Sequence, residues 1–354
     1  IIINYKYIMF TKDSLTIQKY LEKNSKISKN GFKELKLLYD SLKKVKYNYE
    51  LIQNIKDDNM NNKHFSNPYV SNEILHSIKS LNNNRKLVLK INENILTVNI
   101  YFNNHNLKKF LSNILIIISF IFHLMNKNVG NVNINYYLTD HKKTIDKDVK
   151  DGLNYGHINN GCCSPMTNTI DIWRIEEIMK VTIHELYHLF HCDKSMNDDY
   201  NIINFYHKRY NINSERVNTF EAYTEIWANI LNCFLLSNND YKNFIKYINI
   251  ENKWSKLQCL KIFYLTDLDK KETIDINKYT NVLAYFVIRF ELYDNFKEFI
   301  KLFGKTICNN SEIYFEFLQK NKKILSKDEI IKNISKKNYI YKSLRMSCME
   351  IKLF

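Results

Sequence analysis

Glycine and proline are nearly missing from this chain, with six and two in 354 residues. Their scarcity accompanies an excess of Lys, Asn, Ile and Tyr, the residue set of A/T-rich codons. The formal net charge of +15 is part of that skew and is weak evidence for an anionic partner. Lysine far outnumbers arginine and is scattered among acids, so no nucleic-acid-binding patch is expected. Cys-x-x-Cys pairs are absent, which excludes a zinc ribbon. The seven cysteines give no even framework, and reduced thiols in a cytosol-like compartment are expected. Ile1-Ile2-Ile3 is too short for a signal peptide, and residues 1–8, before the first Met at Met9, carry no fold argument. The longest apolar stretch, Phe110 to Met125, is broken by Ser119 and His123. It is expected to be a buried helix, so no membrane partner is expected. No internal repeat is present.

An apolar content of 45% and an aromatic content of 14% instead indicate a folded globular protein. Ser14–Asn24 and Phe32–Ile55 carry apolar residues at helical spacing, and Asp57–Pro68 is a polar linker. Lys86–Ile91 and Ile95–Phe102 alternate around Asn92-Glu93-Asn94 and predict a β-hairpin. A helix is expected over Asn106–Asn126, β-structure over Asn131–Thr139, a loop over 140–167 and a short strand at Thr169–Trp173. Helices are expected from Ile175 to Phe190 and from Asn218 to Leu236, with a mostly helical remainder. Three regions follow: an N-terminal helical region (1–84), a central domain (85–240) and a C-terminal helical region (241–354).

The most informative segment is His184-Glu185-Leu186-Tyr187-His188. On a helix, positions i and i+4 share a face, so both imidazoles can reach one metal ion. Glu185 stands where a carboxylate can take a proton from a metal-bound water, which proposes zinc and hydrolysis together. The surrounding residues, Val181 to Phe190, are otherwise uncharged, as a buried metal-bearing helix requires. Zinc catalysis needs a third protein ligand. A histidine six residues past the pentad is excluded, because that position is Lys194 and His191 replaces the accompanying glycine. Glu221-Ala222-Tyr223-Thr224-Glu225 offers two carboxylates on one helix face, one to bind metal and one to accept a hydrogen bond from a liganding histidine.

This pairing resembles the gluzincin metallopeptidases, whose motifs are His-Glu-x-x-His and Glu-x-x-x-Asp. The resemblance implies that His184, His188 and Glu221 bind Zn2+, that Glu185 is the general base, and that Glu225 fills the place of the family's Asp beside the first histidine. The run Ile172–Val181 before the pentad and Glu221–Ala228 after it also look like metallopeptidase-like proteins of large DNA viruses, over residues 130–235. A viral origin implies host cytoplasm or virion. The implied fold is an α+β zincin-like one, with a small twisted sheet, an active-site helix and mostly helical N- and C-terminal regions. The implied partner is a peptide or protein substrate, and oligomeric state is left open.

Other residues are weaker candidates. His191 could approach the metal, although a helix-end role suits it better. Glu176 and Glu177 could line the cleft, but acids in a helix's first turn favour the dipole in any case. His207, Tyr285 and Arg289 are possible transition-state stabilisers, with Tyr279 nearby. The region around Asn159-Asn160-Gly161 and Cys162-Cys163 stands in the order of the substrate-pairing edge strand of zincins. The Gly-x-Met-Glu-Asn exopeptidase signature is absent, so aminopeptidase action is not supported. Two further readings compete: a catalytically silent zinc-binding interaction protein of the same fold, and a basic nucleic-acid-associated protein.

Overall fold

The computed structural model describes residues 9–25, 31–57, 65–145, 149, 152–193, 197–268, 272–305, 311–325 and 328–354. Residues 1–8, most of the expected linker (58–64) and Lys194 lie outside the described residues. The fold is mixed α+β. Six strands form one open sheet in the order β1-β2-β3-β4-β6-β5. They are β1 (Glu50–Asp57), β2 (Asn83–Ile91), β3 (Asn94–Phe102), β4 (Asn131–Tyr137), β5 (Gly161–Ser164) and β6 (Thr169–Ile172). β1, β2 and β3 run antiparallel, β3, β4 and β6 run parallel, and β5 turns back antiparallel along one edge.

The expected hairpin is present, longer at both ends. Ile91 pairs with Asn94 across a two-residue turn, with Asn92 at φ +53°, a conformation asparagine tolerates better than most residues. Alternation then sends Leu96, Val98 and Ile100 of β3 and Leu87, Leu89 and Ile91 of β2 into the core. The opposite face carries a smaller cluster of Ile74, Ile78, Tyr137 and Trp173, with the first two contributed by the short helix α3 (Asn72–Lys79). The apolar helix α4 (Leu107–Met125) links β3 to β4 and packs against β2 and the helix that carries the His184–His188 pentad. It is long and apolar enough to cross a membrane, yet two thirds of it (67%) is buried inside the protein. Its polar interruptions have partners: Ser119 Oγ donates to Asn48 O at 2.7 Å, and His123 Nδ1 lies 2.8 Å from Ser119 O.

Below the sheet lie α6 (Ile178–Leu189) and α8 (Thr219–Leu236), packed on each other, with α7 (Tyr200–Tyr210) between them in sequence. Helix α9 (Tyr241–Thr266), a π-helical segment Leu283–Ile288 and α10 (Arg289–Asp294) support α8 from behind. α1 (Lys12–Asn24) packs on α9, and α2 (Lys33–Lys43) packs on α11 (Phe296–Phe303). Residues from Ile17 to Leu353 join one apolar cluster.

Four expectations change. The helix expected over Phe32–Ile55 ends at Lys43, and Glu50–Asp57 becomes an edge strand. Leu51, Ile52 and Ile55 are spaced as on a helix face, but they are about half exposed, and pairing with β2 decides the backbone. The N-terminal region is therefore not purely helical, and position 84 falls inside β2. The expected loop 140–167 contains α5 (Tyr155–Ile158) and β5. α6 starts three residues late, because Glu177 adopts a left-handed φ of +61°. Glu177 is buried, its carboxylate 2.8 Å from Lys143 Nζ and accepting from Ser347 N. Glu176 accepts from Lys143 N at 2.6 Å. Both acids anchor neighbouring chain rather than line the cleft or serve the helix dipole.

The C-terminal residues 343–351 are not helical but form a buried strap behind α8 and α9. Ser347 Oγ, Cys348 N and Met349 N all donate to Glu251 Oε1. Burial raises the Glu251 pKa to about 7, partly offset by those hydrogen bonds. In the unfolded chain the group ionises near 4.5, so it removes stability as pH rises through that window, by about 3 kcal/mol once fully ionised. Glu251→Gln should therefore raise the thermal midpoint at pH 8 and leave it little changed at pH 4. Parallel calorimetric scans at the two pH values check this.

Candidate metal centre

Helices α6 and α8 together build a cluster of His184, His188 and Glu221, with ligand atoms mutually within 4.8 Å. α6 is buried along its length, with the sheet and α4 on one side and α8 on the other. Its periodicity puts Ile183, Leu186 and Leu189 into the core and both imidazoles toward α8. α8 begins at Thr219, whose N–H and hydroxyl both donate to the Asp198 carboxylate, and this fixes the turn that presents Glu221.

His184 Nε2 and His188 Nε2 are 3.0 Å apart, and Glu221 Oε2 lies 3.3 and 3.4 Å from them. Donors held at 2.0–2.1 Å around a tetrahedral ion are about 3.3 Å from one another. Glu221 Oε2 is buried, and among the described residues no donor is aligned on it. Its other oxygen accepts from Asn281 Nδ2 at 3.2 Å. The far ring nitrogens face carboxylates: His184 Nδ1 is 2.9 Å from Glu225 Oε2, and His188 Nδ1 is 2.7 Å from Asp193 Oδ2. Such outer carboxylates fix the imidazole tautomer and leave each Nε2 as a ligand.

Charge supports the same fit. Glu185, Glu221, Glu225 and Asp193 bring four carboxylates, and among the described residues Lys180 and Arg289 are the cations touching them, both on Glu225. With neutral imidazoles, two negative charges are left, which a divalent ion balances. Burial works against charged His184 and His188, yet Glu221 with Glu225 in one case, and with Asp193 in the other, lifts both pKa values. Burial likewise opposes ionisation of Glu221 and Glu225. The imidazoles at Glu221, and Lys180 with His184 at Glu225, outweigh it and hold both below the usual carboxylate range. The cluster draws positive charge to its centre, and the residues fit a divalent metal.

Glu185 is buried beside the two histidines and opens onto a cleft of about 830 Å³ also lined by His184, His188, Glu221 and Tyr285. Burial raises its pKa, against the pull of the imidazoles. The strand β5 runs along this cleft through Gly161, Cys162 and Cys163. Gly161 sits closely there: a Cβ would stand 3.1 Å from Glu185 Oε1, 3.1 Å from Val181 Cγ1 and 3.0 Å from Asp171 O, tighter than most side-chain contacts. Burial pushes the Cys162 thiol up to about 12, so it stays protonated.

The other candidates separate cleanly. Tyr285 lines the cleft, its ring centroid 6.2 Å from that of His184. It lies on the π-helical segment, an irregularity found often at functional sites. Burial and the charge of Glu221 hold its phenol protonated. Tyr279 also lines the cleft, part exposed. Arg289 does not: it is fully buried behind α8, donating to Glu225 Oε1 at 3.3 Å and Met346 O at 2.5 Å. It is removed as a transition-state donor, because a helical i+4 spacing from Tyr285 does not hold across a π turn. His207 is removed too, since its Nε2 is 2.7 Å from Ser214 O on the loop before α8. His191 is an exposed helix-end residue at φ +52°, on the cleft rim but outside the ligand cluster.

Three contributors were not anticipated. Asp193 returns to His188 because the left-handed His191 reverses the chain, and an acid five residues past the second histidine was the available signal. Asn281 holds Glu221 from a loop sixty positions away, and Lys180 reaches Glu225 from one turn before His184. Nothing local marks these two.

A scan against protein-family models found no match, and searches of curated proteins and of solved structures found none either. The site stands on its own geometry. Calorimetric titration with Zn2+ or Co2+ should give one ion per chain. Glu221→Ala should lose stoichiometric binding while His191→Ala keeps it, and the reverse pattern would reassign the third ligand.

Proposed function

We propose that this chain is a zinc-dependent metallopeptidase of the gluzincin type. The observation that carries the reading is the His184–His188–Glu221 donor triangle with Glu185 beside it, at the bottom of a cleft flanked by an antiparallel edge strand. The sheet with α6 above the cleft, and α8 with the C-terminal helices below it, agree with a zincin-like arrangement. His184, His188 and Glu221 would hold the ion, with Glu225 and Asp193 fixing the imidazoles. Bound zinc would supply Lewis acidity, acidifying a water and polarising a carbonyl.

The chain's own groups do the rest. An extended peptide can add to the open edge of β5, bringing its backbone over α6. Glu185 takes a proton from the attacking water as its oxygen bonds to the peptide carbon, and later returns that proton to the amide nitrogen as the C–N bond breaks. The Tyr285 hydroxyl, kept protonated, is the available donor for the negative charge that develops on the carbonyl oxygen. Backbone pairing gives little sequence preference, so selectivity falls to the polar walls of the cleft, among them Asn159, Arg216 and Lys278.

A peptide library supplied to the zinc-loaded protein tests this. Glu185→Gln should keep the metal and lower cleavage by about 10²–10⁴-fold. Tyr285→Phe should lower kcat by about 10²–10³-fold with KM nearly unchanged. Undiminished cleavage by Glu185→Gln would discard the mechanism. Stoichiometric zinc with no cleavage by the unaltered chain would instead favour a silent zinc-binding interaction protein.

A further inference from the structure

Lys180, His184 and His188 stand at four-residue intervals on α6, so one face carries an amine followed by two imidazoles. All of Lys180 but 3% is buried, and its Nζ donates to Glu225 Oε1 at 2.7 Å and Oε2 at 3.0 Å. Arg289 reaches Oε1 of the same carboxylate from α10, at 3.3 Å. The side chain of Glu225 is itself 1% exposed and turns Oε2 toward His184 Nδ1 at 2.9 Å. One carboxylate thus carries two cations and an imidazole with almost no access to water. A buried cation is costly unless paired, and a single salt bridge would satisfy Glu225. Glu225 instead receives two buried cations, one from α6 and one from α10, which hold its carboxylate in one orientation.

From this geometry we infer that Lys180 and Arg289 are positioning residues that clamp Glu225 as an anionic acceptor for the His184 Nδ1–H, and thereby set the metal affinity of the centre. The chain of contacts runs from Lys180 and Arg289 through Glu225 to His184, whose Nε2 is left free of hydrogen and turned toward Glu221. The clamp also links the centre to the C-terminal strap. Arg289 donates to Met346 O at 2.5 Å, and Lys180 Nζ lies 4.0 Å from Met346 Sδ. Lys180 is the cleaner member to alter, because Arg289 also supports the strap backbone. This inference rests on the metal-centre reading above and concerns affinity rather than catalysis.

The test measures Zn2+ affinity by competition with a chromophoric chelator, alongside the thermal midpoint of the metal-free protein. Lys180→Met should weaken zinc by about 10–100-fold, the usual cost of losing support behind a ligating histidine. Lys180→Arg, which keeps the charge, should recover most of that loss. Should Lys180→Met fold poorly, the double variant Lys180→Met/Glu225→Gln removes both charges together and should still bind zinc weakly. Unchanged affinity in a folded Lys180→Met, or in the double variant, overturns the inference even if the midpoint falls. An unaltered chain that takes up no zinc overturns the metal centre itself and this inference with it.

Discussion

The carboxylate of Glu225 is the hinge of this molecule. It lies between α6 and α8 with two cations and one imidazole on it, all buried. Burying that much charge is tolerable only when the ions are paired, as Lys180 and Arg289 are with Glu225. The two helices are therefore locked in one rotation and register, and that register decides where His184, His188 and Glu221 meet. The candidate metal centre is a consequence of how α6 and α8 close on a common charged core.

The remainder of the fold serves the same contact. The sheet covers α6 from above, and Gly161 lets β5 approach it at a distance where a Cβ would crowd Val181 and Glu185. The strap at 343–351 closes α9 and α10 from behind, with Glu251 gathering three donors and Arg289 spanning both the strap and Glu225. The buried polar residues around the strap are individually expensive, and their hydrogen bonds give the helical half a single arrangement. The cleft opens on the opposite side, where Glu185 and Tyr285 face open space.

Much of this was readable along the chain. The pentad and the Glu221/Glu225 pair are each contained in one helix, and helical periodicity alone aligns their side chains. The β2–β3 hairpin and α4 are likewise strong because apolar spacing and a two-residue turn are local properties. What failed, failed where pairing overrules periodicity. Leu51, Ile52 and Ile55 fit a helical face, but an open edge on β2 claimed that backbone. Arg289 stands four residues past Tyr285, a spacing that shares a face on an α-helix, but across the π turn it lies in the core.

By itself the sequence determined the candidate donor types, their spacing and the apolar helix that carries the two histidines, because each depends on neighbours within a turn or two. Only the tertiary structure decided which of the two glutamates faces the donors, since both lie on the same helix and the choice comes from the packing of α8 on α6. It also decided that Asp193 and Asn281 complete the centre and that Lys180 and Arg289 stand behind it. Those contacts join positions up to 64 residues apart. No local period encodes them; they arise where buried charges on separate elements pair across the packing of α6, α8 and α10.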